Sequence, residues 1–189
     1  LISEAMILMG TVIGEYSSAK SISIPYRIQK QSKLPNNDIL NNLKVSNVRN
    51  AFLRYYLTPA YYSCSESIHY SLGLSKYVHF TSPLRRYLDL IAHRQITNYL
   101  DCKPICEQIT IVQIIELTVP KVRQSVSIMK DHTRSLILRW LEQENKEKLS
   151  ITFIRWFNEK NRNALIYLDE YYLELNCRLY IKKTPKTGE

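Results

Sequence analysis

The sequence predicts an α+β protein, mostly helical over residues 1–148 and β-rich over residues 149–189. Apolar residues recur at helical spacing in four long stretches of the first part. The last forty residues instead group β-branched and aromatic side chains between turn-forming Asn residues. Glycine is scarce: only Gly10, Gly14, Gly73 and Gly188 occur, so no glycine-rich phosphate loop of the G-x-x-x-x-G-K-[ST] or G-x-G-x-x-G kind can be written.

The elements follow in order. Ala5, Met6, Met9, Val12, Ile13 and Tyr16 predict a helix over residues 3 to 20, with Ser3 as its cap. The alternation from Ser23 to Gln29 predicts a short strand, closed by a loop at Pro35-Asn36-Asn37. Ile39, Leu40, Leu43, Val48, Phe52, Leu53 and Tyr56 return to helical spacing over residues 38 to 57. Residues 58 to 81 hold Pro59, several Ser and Gly73, and read as irregular. Ser82-Pro83 opens a helix to about Leu100, because Ser is a good N-cap and Pro suits the first helical position. Glu107 to about Lys148 is a long helical stretch with a candidate break at Pro120. Leu149 to Phe157, Ala164 to Leu168 and Tyr171 to Ile181 read as three strands, the first two separated by the turn from Asn158 to Asn163. Three strands are fewer than a closed barrel needs, and the boundary falls at 146–148.

At 189 residues the chain holds about one to two domains, and 45% apolar with 23% charged residues marks a folded protein. The net charge of +9 points to a polyanionic partner, nucleic acid ahead of an anionic membrane surface. The membrane reading is disfavoured because Lys and Arg are spread along the chain and not gathered on one amphipathic face. The longest apolar run, Met6 to Ile13, is well short of the about 20 residues that span a bilayer. Cys64, Cys102, Cys106 and Cys177 form no C-x-x-C pair and are expected to be free thiols; Pro104 between Cys102 and Cys106 argues against a metal there. The sequence starts at Leu1, already inside an amphipathic pattern, and is expected to be a fragment of something longer.

Nucleic-acid chemistry by two metal ions needs carboxylates that hold the ions about 4 Å apart. Asp38, Asp89, Asp101, Asp131 and Asp169 offer no two within one turn of chain, so no metal ligands are expected in this sequence. The informative segment is Tyr77 to Arg94, YVHFTSPLRRYLDLIAHR. If Ser82 caps a helix, Arg85 and Arg86 fall in its first turn, where free N–H groups and the helix dipole already favour an anion. Arg85, Asp89 and His93 then share one stripe at i, i+4 and i+8, so that Asp89 orients both neighbours. The same spacing also describes an ordinary exposed helix with i, i+4 ion pairs.

The segment resembles the signature Y-x-H-F-T-S-P-[IL]-R-[RK]-Y-x-D-[LM]-[IL]-x-H-R of the ribonuclease II family, processive 3′-to-5′ exoribonucleases with an RNB catalytic domain. Ser65 to Leu74 is similar to that family's P-x-x-H-x-G-L-G-L lead-in, with Ser71 where a Gly is usual. Leu1 to Ile7 is similar to its I-x-E-E-x-M-[IL] helix, with Ser3 in place of the first acid. The likeness runs from residue 1 to about 145 and looks nearest to cyanobacterial and plastid members.

The resemblance implies that residues 1–148 are the C-terminal half of an RNB domain and residues 149–189 the start of an S1-like β module. It implies hydrolysis of single-stranded RNA to nucleoside 5′-monophosphates with Mg²⁺, held by an Asp cluster that precedes this sequence, so that the chain alone is inactive. Arg85 matches the arginine that clamps the scissile phosphate. Glu4 matches an acid that helps hold the 3′-terminal nucleotides; Arg86, Tyr77 and Tyr87 would contact RNA, and Asp89, His93 and Arg94 would fix the clamp. Met129 stands where the family has a further acid, with Asp131 the nearest carboxylate. A monomeric enzyme, cytoplasmic or in the chloroplast, is implied. The alternative is a non-catalytic RNA-binding protein derived from this family. His69 and His79 read as hydrogen-bonding loop residues, and one or two of Tyr61, Tyr62, Tyr70 and Tyr77 as stacking platforms for bases.

Overall fold

The chain runs through α1 (Ile2–Ala19), β1 (Tyr26–Ile28), α2 (Ser46–Leu53), β2 (Tyr61–Ser63), a 3₁₀ turn (Tyr70–Leu72), α3 (Tyr87–Leu100), α4 (Gln108–Gln143), β3 (Ile151–Asn158), β4 (Asn163–Leu168) and β5 (Leu173–Arg178). The computed structural model describes residues 1–33, 46–144, 148–181 and 184–188. The fold is α+β, and it divides into two units, residues 1–31 with 58–128 and residues 32–57 with 129–189. Among the described residues no helix is long and apolar enough to cross a membrane. The expected loop at Pro35-Asn36-Asn37, the first part of the helix expected from residue 38, and most of the 146–148 boundary lie outside the described residues.

In the first unit α1 buries Gly10, Gly14 and Ser17. Glycine is required at Gly10: a Cβ there would lie 2.4 Å from the Val78 carbonyl oxygen and 2.5 Å from the Tyr77 ring. The Val78 N–H donates to the Gly10 carbonyl at 3.2 Å, fixing the segment that carries Tyr77 against the helix. Ser3 does not cap α1; Leu1 is the N-cap and makes no side-chain cap bond, while Ser3 lies inside the first turn. After α1 the chain passes through Ser21, at φ 53°, and buries Ile22, Ile24, Tyr26 and Ile28 with Val78, Phe80, Ala92 and Ile96 in one apolar cluster.

The strand expected over residues 23–29 is ladder-paired only from Tyr26 to Ile28, antiparallel to β2 with Arg27 opposite Tyr62. β2 and the 3₁₀ turn lie in the stretch expected to be irregular, the turn closed by Gly73 at φ 66°. Buried Gln29 ties this stretch to β1: its Nε2 donates to the Thr58 carbonyl at 2.7 Å and its Oε1 accepts the Ser71 N–H at 2.9 Å. Gln95 on α3 is a second buried clasp, donating to the Ser23 and Cys106 carbonyls and accepting the Cys106 N–H. α4 passes through Pro120 without the expected break, because one lost i to i−4 hydrogen bond is a small fraction of a 36-residue helix.

The second unit is built on the three antiparallel strands expected at the end of the sequence, in the order β3-β4-β5. Val48, Ala51 and Phe52 of α2 pack against Ile154, Leu165 and Tyr167 of this sheet. The β3–β4 turn uses Arg162 at φ 57° and an Asn161 N–H bonded to the Asn158 side chain at 3.1 Å.

Candidate functional site

The site is organised by α3, whose first residue is Tyr87 and not Ser82. Ser82 to Arg86 form a separate turn, closed by N–H groups of Arg85 and Arg86 on the Ser82 carbonyl at 3.3 and 3.0 Å, and Arg86 is extended at φ −122°, ψ 107°. Arg85 is therefore not one helical turn before Asp89, and the expected stripe of Arg85, Asp89 and His93 does not form. The fully buried Asp89 reaches back instead to both ends of the turn: its Oδ2 accepts the Ser82 N–H at 3.0 Å, Arg86 Nε at 2.9 Å and Arg86 Nη2 at 2.8 Å. A carboxylate that accepts a backbone N–H and a forked guanidinium is strongly held. His93, one turn further along α3, donates from Nε2 to the Phe80 carbonyl at 2.6 Å and stacks on the Phe80 ring at 3.7 Å. His93 and Asp89 thus fix the main chain on the approach to the turn and at its opening, Asp89 also holds the Arg86 side chain at its close, and neither bonds the Arg85 side chain. Arg85 is exposed and has no hydrogen-bonding or ionic partner among the described residues.

Beside the turn stands a run of rings. His69 meets Tyr77 edge-on at 5.5 Å, Tyr77 meets His79 at 5.6 Å, and His79 meets Tyr62 at 5.8 Å. A 2.8 Å hydrogen bond joins Tyr62 Oη to His79 Nδ1, so His79 is a hydrogen-bonding loop residue and Tyr62 is anchored at its hydroxyl. The guanidinium of Arg27 lies 4.7 Å from the centre of the Tyr62 ring. Burial, with the nearby charges of Arg86, Arg27, His69 and Arg85, pushes His79 down to about 4, so it is neutral near pH 7. Burial raises the Tyr62 and Tyr77 hydroxyls, and lowers Arg27 with Arg123 and Arg86 adding to the effect. The site is a cluster of arginines beside a run of neutral aromatic rings.

The remaining sequence candidates fall around this frame. Tyr77 is part of the ring run, and Tyr87 is exposed at the start of α3. Glu4, in the first turn of α1, and Arg94, on α3, are exposed, and among the described residues neither is bonded to the Ser82–Arg86 turn. Met129 and Asp131 are exposed on α4 in the second unit, lining a cavity of about 390 Å³ with Arg54, Lys130 and Arg134. Tyr61 packs against the apolar cluster around Ile24, and Tyr70 is exposed on the 3₁₀ turn. Arg27 was not a sequence candidate; the signal for it is a charged residue flanked by Tyr26 and Ile28 in a strand, which places it on the face opposite the core.

All four cysteines are free. Among the described residues no group of three His, Cys, Asp or Glu side chains converges as metal ligands, and Asp89, the one carboxylate at the site, is already bonded through Oδ2. These residues do not fit a metal centre. What they can do is present a guanidinium with planar, forked donors to an anion beside aromatic faces.

Residues 1–101 match the RNB domain. An uncharacterised ribonuclease of Synechocystis sp. is 33% identical over 181 residues, covering 94% of this chain and 27% of that protein. The chloroplastic/mitochondrial ribonuclease II of Arabidopsis thaliana is 38% identical over 108 residues, covering 53% of this chain and 12% of that protein. The chain therefore spans about a quarter or less of the length of these relatives. In structure it is similar to an active-site mutant of the Dss1 exoribonuclease of Candida glabrata, with a TM-score of 0.85 at 24% identity over 100% of this chain and 25% of that one. It is likewise similar to Mycoplasma genitalium RNase R in complex with ribose-methylated single-stranded RNA, with a TM-score of 0.74 at 20% identity over 92% of this chain and 32% of that one. With the Tyr77–Arg94 segment lying inside a matched region that takes in more than half of the chain, this chain belongs to the RNB family.

Proposed function

We propose that this chain is the RNA-gripping and phosphate-clamping portion of a 3′-to-5′ exoribonuclease that hydrolyses single-stranded RNA to nucleoside 5′-monophosphates. The observation that carries the reading is the difference between two adjacent arginines. Arg86 is spent on buried Asp89, whereas Arg85 stands in solvent on a turn held by Asp89 and His93. A guanidinium that is free of protein partners and projects from a turn whose main chain is held can turn its forked donors to the charge that develops on a phosphoryl oxygen. Tyr77 and Tyr87 offer rings for bases, and Glu4 a carboxylate for ribose hydroxyls.

In this reading residues 1–148 are the C-terminal half of the catalytic domain and residues 149–189 an incomplete S1-like module. Mg²⁺ would be held by carboxylates outside these 189 residues, so the chain alone leaves RNA uncut. The whole enzyme would act as a monomer, in the cytoplasm or in a plastid like the chloroplastic relative.

The test is to incubate the 189-residue chain with labelled oligo(A) and Mg²⁺ over a range of salt. Binding whose logarithm falls with log[salt], by about 0.7 per phosphate contacted, with the RNA intact, is expected. Release of mononucleotides overturns the division of labour, and absent or salt-independent binding overturns the RNA grip. RNA binding by the chain together with no contribution of Arg85 to hydrolysis would favour the non-catalytic alternative.

A further inference from the structure

We infer that Arg27 binds a backbone phosphate of the RNA, so that the phosphate grip is shared by Arg85 and Arg27 and not by Arg85 and Arg86. The inference rests on the RNA reading above and changes which residues carry it.

Arg27 sits on β1 with its main chain fixed twice, by the ladder opposite Tyr62 and by its N–H on the Tyr77 carbonyl at 2.7 Å. Its side chain is partly buried, with the guanidinium over the Tyr62 ring, and that ring is held by the Tyr62–His79 hydrogen bond. A guanidinium withdrawn from water ordinarily faces a carboxylate. Among the described residues no ion pair forms on Arg27; the cations Arg123 and Arg86 act against its charge, and the Tyr62 and Tyr77 hydroxyls act in its favour. Asp89, the buried carboxylate of the site, is turned to Ser82 and Arg86. His79, which feels Arg86, Arg27 and Arg85 together, stays neutral and adds no charge near pH 7.

Arg27 thus carries its charge where water is partly excluded, over the Tyr62 ring, while the buried carboxylate of the site is already bonded to Arg86. An anion that accepts forked hydrogen bonds offsets that charge, and a phosphodiester has the matching geometry. Arg86 is less suited to that task, because its Nε and Nη2 bond Asp89 and its charge is offset by that carboxylate.

The test is titration of single-stranded oligo(A) into the 189-residue chain and into Arg27→Gln and Arg27→Lys, each over a salt series. Arg27→Gln should weaken binding about tenfold, as expected for one charge-assisted contact. It should also flatten the log–log salt slope by about 0.7, the share of one phosphate in a single strand. Arg27→Lys should keep the slope and recover part of the affinity. A neutral methylphosphonate moved along the oligonucleotide should reveal one linkage whose substitution weakens the native chain and costs Arg27→Gln nothing further.

An unchanged slope in Arg27→Gln, with every methylphosphonate penalty retained, makes Arg27 a structural residue and overturns the inference while RNA binding stands. No salt-dependent binding by the native chain overturns the RNA reading and this inference together. If Arg27→Gln does not fold, Arg27→Lys decides: a reduced penalty at one linkage supports the contact, and penalties equal to the native chain's at every linkage overturn it.

Discussion

Asp89 is paired with Arg86, three residues before it, at 2.8 Å, and makes no bond to Arg85. A fully buried carboxylate has thus been matched with one of two adjacent arginines, and the other has been left to solvent at the top of the turn. The pairing separates an arginine tied to the fold from one left exposed.

Asp89→Ala should be among the most damaging substitutions in the chain. It leaves the Ser82 N–H and the partly exposed Arg86 guanidinium without their acceptor, at a cost of roughly 3 kcal/mol for the lost charge-assisted bonds. Asp89→Asn keeps an acceptor for Ser82 but loses the ion pair, with an expected loss of roughly 1–3 kcal/mol. Urea denaturation of the two variants against the native chain reads both values; equal stability of all three would mean that the turn does not depend on Asp89.

Gly10→Ala should displace Tyr77 and Val78, since the new methyl would meet the Val78 carbonyl oxygen at 2.4 Å and backbone cannot rotate away as a side chain can. Overpacking of this kind costs about 1–3 kcal/mol. At Gly73 a Cβ meets open space, and only the left-handed φ of 66° resists it, at roughly 1 kcal/mol. Thermal melts of the two variants should rank Gly10→Ala as the less stable, with a changed tyrosine near-UV signal for that variant alone.

His79 makes stability depend on pH with a definite sign. Its folded pKa of about 4 lies below the ordinary value of 6.5, so between these pH values the unfolded chain binds the extra proton. Stability is therefore full above pH 6.5 and falls as pH drops toward 4. The loss is on the order of 2 kcal/mol once solvent screening of a partly exposed ring is allowed for. His79→Gln, which retains a side-chain hydrogen-bonding group for Tyr62, should flatten this part of the curve. A stability profile for His79→Gln parallel to the native one across that range would rule out this origin.

Much of the fold was legible in the sequence because its signals are periodic. Helical spacing marked α1, α3 and α4, and β-branched clusters marked β3, β4 and β5. Three features escaped for stated physical reasons. Ser82-Pro83 carries the residue types of a helix start, but Asp89 offers the Ser82 N–H a tertiary acceptor, and the helix begins five residues later at Tyr87. β2 is only Tyr61-Tyr62-Ser63, too short to alternate, and forms because β1 supplies its partner. Arg27 and His79 lie 52 positions apart and meet through Tyr62, a relation that no local spacing encodes. At the site, the residue types around Arg85 could be named in advance, while the division of labour between Arg85 and Arg86 required coordinates.

The central claim is that Arg85, presented on the turn that Asp89 holds, is a transition-state clamp. It is tested most directly by hydrolysis of labelled oligo(A) with Mg²⁺ by the full-length enzyme proposed above, with Arg85→Ala and Arg85→Lys beside the native protein. Because Arg85 is exposed, its removal should change stability by less than about 0.5 kcal/mol. The account predicts a fall in kcat of roughly 100-fold or more for Arg85→Ala with KM little changed, and partial recovery in Arg85→Lys, whose ammonium supplies charge without the planar fork. An unchanged kcat with weakened RNA binding, or loss of folding in Arg85→Ala, would contradict it.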